Sequence, residues 1–101
     1  MPAVKDYHVL FYGGPNGYQT NRAQIALYNA SGTVIAYLRF EDPNMAFPSD
    51  SESKGVIYMH LPSSQLCCVL DVLRNEDPIN VYFVGGHAFL GTSKEPVGEG
   101  E

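Results

Sequence analysis

From Ile79 to Thr92 the chain reads as two stretches rich in β-branched and aromatic residues, split only by Gly85-Gly86. A two-residue loop between antiparallel strands needs positive φ angles, which glycine adopts without steric cost, so this pattern specifies a tight hairpin. The short loop also sets the register, placing Phe83 opposite Ala88 and Val81 opposite Leu90. Side chains alternate across a strand. Ile79, Val81, Phe83, Ala88 and Leu90 therefore share an aliphatic face, and Tyr82, Val84, His87 and Phe89 share the other.

The same alternation sorts the rest of the chain. Ala23 to Asn29 and Thr33 to Glu41 read as strands joined through Asn29-Ala30-Ser31-Gly32. Ile25 and Leu27 fall with Val34, Ala36 and Leu38, while Gln24, Ala26, Tyr28, Ile35, Tyr37 and Arg39 fall opposite. Tyr7 to Tyr12 forms a strand that stops at Gly13-Gly14-Pro15-Asn16-Gly17, and Gly55 to Leu61 forms another. With aliphatic parity inward, Val9, Phe11, Ile57, Met59 and Leu61 face the core, and His8, Leu10, Tyr12, Tyr58 and His60 face away.

Pro62-Ser63-Ser64 opens the one helix, with Ser63 or Ser64 available to cap its first turn. Leu66, Val69, Leu70 and Leu73 at i, i+3, i+4 and i+7 form its apolar stripe. Asn75-Glu76-Asp77-Pro78 ends it, because the residue before proline avoids the helical conformation. The expected fold is α+β: an antiparallel sheet of about six strands in the order ββββαββ, with the helix packed on one face. A four-stranded meander followed by a helix resembles, in topology alone, the unit of PUR-type and whirly-type single-strand nucleic-acid-binding folds; no sequence motif accompanies that likeness.

With 101 residues the chain is expected to form a single domain over 1–92, followed by a flexible acidic tail at 93–101. The polar stretch from Glu41 to Lys54 is a long loop for so small a domain, with Met45 and Phe47 as the side chains that pin it. Cys67 and Cys68 are adjacent, a spacing that suits neither a zinc site nor a redox pair. They are expected to be reduced, mostly buried small hydrophobes. The chain starts without an apolar leader and holds no apolar run near the ~20 residues of a membrane span, so the expected location is the cytoplasm, with no membrane partner.

The functional expectation rests on the second sheet face. A fully solvated face should carry more charge than one built of Tyr12, Tyr28, Tyr37, Arg39, Tyr58, His60, Tyr82, His87 and Phe89. Tyr and Phe suit interface cores, so the first expectation is a non-catalytic protein that associates with itself through this face, a homo-oligomer and foremost a dimer. The alternative is a module that binds a small ligand or single-stranded nucleic acid on the same face. With 11 acidic and 6 basic residues the net charge is −5, which disfavours nucleic acid because phosphate contacts rely on Lys and Arg. An enzyme is the third class and needs His8, His60 and His87, or a histidine and a cysteine, to converge. Their spacing matches no metal motif, and no serine sits in a nucleophile elbow, so no catalytic residue, metal or cofactor is expected. The carboxylates Glu41-Asp42 and Glu76-Asp77 flank prolines and read as turn and capping residues.

Overall fold

The computed structural model describes residues 3–92; the expected tail at 93–101 lies outside them. Eight strands and one helix follow in the order β1 (Ala3–Val4), β2 (Asp6–Phe11), β3 (Ala23–Tyr28), β4 (Val34–Glu41), β5 (Ser51–Ser53), β6 (Val56–Pro62), α1 (Leu66–Asn75), β7 (Ile79–Val84) and β8 (His87–Thr92). A single 3-10 turn, Ser63–Gln65, leads into α1, and neither serine caps it through its side chain.

The α+β class holds, but the single antiparallel sheet does not. The strands form a five-stranded sheet, β2-β3-β4-β6-β5, and a three-stranded sheet, β1-β7-β8. All pairs are antiparallel except β4 and β6, which run parallel. The expected meander is thereby broken. A parallel pair needs a crossover of about a dozen residues or more, and the stretch 42–55 provides it. Part of that stretch is itself structured, since β5 pairs with β6 through a two-residue turn at Lys54-Gly55, both at positive φ (53° and 79°).

The two sheets adjoin along two seams. β1 pairs with β7, and one residue later the Lys5 N–H donates to the Tyr28 carbonyl (2.8 Å) as the same segment crosses to β3. On the other side β6 and β8 run close together. No ladder joins them there; the Asp50 carboxylate does so, accepting the His60 N–H on Oδ1 (2.8 Å) and the Ala88 N–H on Oδ2 (3.1 Å).

Inside lies the aliphatic parity set. Ile25, Leu27, Ala36, Leu38, Phe40 and Val81 are fully enclosed, and Val69, Leu70 and Leu73 of α1 close the same core. Truncating one of the enclosed residues, Leu38→Ala for example, costs about 2–5 kcal/mol. The Gly85-Gly86 hairpin has the expected register, Phe83 against Ala88 and Val81 against Leu90. The turn at residues 29–33 is held by the Asn29 side chain, whose Oδ1 accepts the Ser31 and Thr33 N–H groups (3.0 Å each).

Two inward assignments are corrected. Phe11, the last residue of edge strand β2, is 65% exposed, because the strand end runs past the core. Cys67 and Cys68 are free as expected but exposed, since the helix turns them off the buried stripe of Val69, Leu70 and Leu73.

Candidate functional site

The parallel register of β4 and β6 builds the site. It sets Tyr37 beside Tyr58, Arg39 beside His60 and Glu41 beside Pro62 on the outer face of the large sheet. Neighbouring side chains across such a pair interact directly or on the diagonal. The Tyr37 and Tyr58 rings stack at 5.7 Å with 23° between their planes. The Arg39 guanidinium lies 5.6 Å from the first ring centroid and 5.1 Å from the second, with Nε donating to Gln24 Oε1 (3.0 Å).

One step along the strands, Glu41 reaches the diagonal His60. A hydrogen bond of 3.0 Å joins His60 Nδ1 and Glu41 Oε2, and the two side chains are 8% and 0% exposed. Glu41 is therefore not the turn residue its sequence context implied. Its second oxygen, Oε1, is buried with no hydrogen-bond partner. Burial pushes the Glu41 carboxyl above its ordinary value of 4.5; the His60 hydrogen bond and the charges of His60 and Arg39 oppose that, and Asp50 adds to it. His60 is held twice, by Glu41 through its ring and by Asp50 through its backbone N–H.

Residues 42–50 flank this pair with two openings. One is a cavity of about 430 Å³ lined by Glu41, Asp42, Pro43, Met45, Phe47, Pro62, Ser63 and Ser64. The other, about 320 Å³, is lined by Phe47 to Asp50 with His60, Gly86 and His87. Phe47 borders both and is itself half exposed. Met45 is the side chain that pins the segment: its sulfur accepts the Asp42 N–H (3.3 Å).

Asp42 differs from its neighbour. Its carboxylate pairs with Arg22 Nε (2.8 Å), and the Ser63 hydroxyl together with Arg22 holds it below its ordinary value of 3.8. Arg22 also donates from Nη1 to the Tyr12 carbonyl (2.6 Å), tying the β2–β3 loop to the start of the crossover.

The residues singled out from the sequence divide into four places. Tyr37, Arg39, Tyr58 and His60 meet on the large sheet. Tyr82 and Phe89 stack on the small sheet at 5.1 Å and 18°, with His87 at the hairpin end. Tyr12 packs against Tyr18 (5.3 Å), and Tyr28 is half buried at the end of β3 beside a register shift. His8 is exposed on β2, away from His60 and His87, and among the described residues no group of three His, Cys, Asp or Glu side chains is arranged to hold a metal. Glu41 and Asp50 were missed. The alternation that places Tyr37 and Arg39 outward extends to Glu41, which was the available signal; nothing in the polar run around Asp50 marks its bridging role.

Chemically, the pair can hold a proton between imidazole and carboxyl, and Oε1 keeps the capacity to accept a further hydrogen bond. Among the described residues no Ser, Thr or Cys side chain bonds to His60, so the pair is not joined to a nucleophile. No helix among the described residues is long and apolar enough to cross a membrane. Comparison of the chain with protein-family models, with curated proteins and with solved structures finds no match.

Proposed function

We propose that this protein is a non-catalytic binding module that holds a small molecule against Glu41, in the cavity between the 42–50 segment and the start of α1. One observation carries the reading: Glu41, whose buried carboxyl keeps one oxygen unpartnered, is among the residues lining a cavity of about 430 Å³. An unsatisfied buried polar group costs about 1–3 kcal/mol, and a ligand that supplies the missing partner recovers it. The cavity volume falls in the range typical of small-molecule sites. The exposed, unpaired thiols fit a reducing compartment such as the cytoplasm.

The experiment is a fragment screen by amide chemical-shift mapping on the labelled protein, with Glu41→Gln alongside. Hits that move residues 41–47 and 62–64 in the wild type and weaken in the variant are expected. A broad screen that never moves those residues would contradict the reading.

Self-association is the second reading, favoured by a separate surface. Val84 is 62% exposed and Phe89 42%, with Phe89 stacked on Tyr82 across the outer face of the small sheet. A two-fold dimer through this face predicts that Tyr82→Arg lowers the light-scattering mass to that of one chain while the fold persists. An unchanged mass in that variant removes the reading.

A further inference from the structure

The ligand class follows from the charges around the cavity. Resting on the small-molecule reading above, we propose that the molecule held at Glu41 is a small organic cation: an ammonium group carried on a compact apolar body.

Two acidic residues, Glu41 and Asp42, line the cavity, and among the described residues no Lys, Arg or His does. Arg22, which pairs with Asp42 through Nε, is also committed through Nη1 to the Tyr12 carbonyl. His60 engages only Oε2 of Glu41. Oε1 is left as the acceptor without a donor. A neutral O–H donor satisfies the oxygen but adds no positive charge to that of His60 and Arg39. An N–H of an ammonium does both, and such charge-assisted bonds are shorter and about twice as strong as neutral ones. An anion meets Glu41 and Asp42 with like charge. Pro43, Met45, Phe47 and Pro62 give the apolar part of the wall, with the Phe47 ring available to face a cation. A ring with a short amine arm fits within the volume.

The test titrates the full-length labelled protein at neutral pH with three probes of one shape: benzylammonium, benzyl alcohol and benzoate. Saturable shifts at residues 41–47 and 62–64 are expected with benzylammonium, about tenfold weaker binding with the alcohol, and none with benzoate. Glu41→Gln should bring the ammonium down to the level of the alcohol while the 79–92 hairpin signals stay in place. A second arm needs no variant. Acidification through the raised Glu41 range should weaken the ammonium and spare the alcohol, with His60, Arg39, Asp50 and Asp42 as the other charged or titratable groups facing Glu41. If the alcohol or benzoate binds there as tightly as the ammonium, the cation assignment falls and the small-molecule reading stands. If none of the three moves those residues, both fall.

Discussion

The two ends of the 42–50 segment use carboxylates in opposite ways. At its far end Asp50 spends both oxygens on backbone N–H groups, one on β6 and one on β8, and so stands in for a missing strand ladder. At its near end Glu41, more deeply enclosed, spends one oxygen on His60 and leaves the other without a partner. Asp42, next in the chain, is satisfied again by Arg22 and Ser63. A carboxylate with a hydrogen bond on each oxygen is a staple, whereas one kept buried with an oxygen unpartnered costs stability unless something else completes it. That contrast is what singles out Glu41, rather than Asp50 or Asp42, as the proposed ligand group.

The largest expected effect is at the staple. Asp50→Ala strands two backbone donors at the seam between the sheets and should cost about 3–6 kcal/mol, since hydrogen bonds to a charged group contribute about 1.5–3 kcal/mol each. In a domain of this size that lowers the melting temperature by about 10 °C or more. A loss no larger than that of an ordinary surface substitution would erase the contrast.

Glu41→Gln should act in the opposite direction. The folded chain holds its Glu41 proton to higher pH than the unfolded chain, so stability falls as pH rises from about 4.5 through the raised value. The amide has no such loss and keeps a bond to His60, so the variant should gain about 1 kcal/mol near neutral pH and lose that gain in acid. Urea unfolding at several pH values reads this directly. The smallest effect belongs to Asp42→Asn. Its lowered value means that its contribution is present above pH 3.8 and lost as pH falls through the folded-state value, so the variant should be slightly weaker than wild type at neutral pH and equal to it in strong acid. Thermal melts at both extremes check it.

Much of the fold was legible because two-residue alternation and a glycine hairpin leave little freedom. The Gly85-Gly86 loop dictates its register, and the same parity names Ile25, Leu27, Ala36, Leu38 and Val81 as core. Alternation says nothing about strand direction, however, so the parallel β4–β6 pair was invisible, and with it the meeting of Glu41 and His60. The Lys54-Gly55 turn lay hidden in a polar run that reads as loop. The exposure of Cys67 and Cys68 was within reach, because the stripe at Val69, Leu70 and Leu73 already turns them outward. Of the site, the aromatic and basic half was visible from composition. The acidic half was not, because a carboxylate beside a proline is most often a turn residue, and only the tertiary fold buries this one.

The most direct measurement is a pH titration of the side-chain carboxyl carbons of Glu41 and Asp42 by NMR, followed together in one sample. The neighbours should move apart, Glu41 titrating above 4.5 and Asp42 below 3.8. A Glu41 midpoint at or below its ordinary value would mean that its carboxylate is fully satisfied in the folded protein, and the cavity beside it would lose its claim to a ligand.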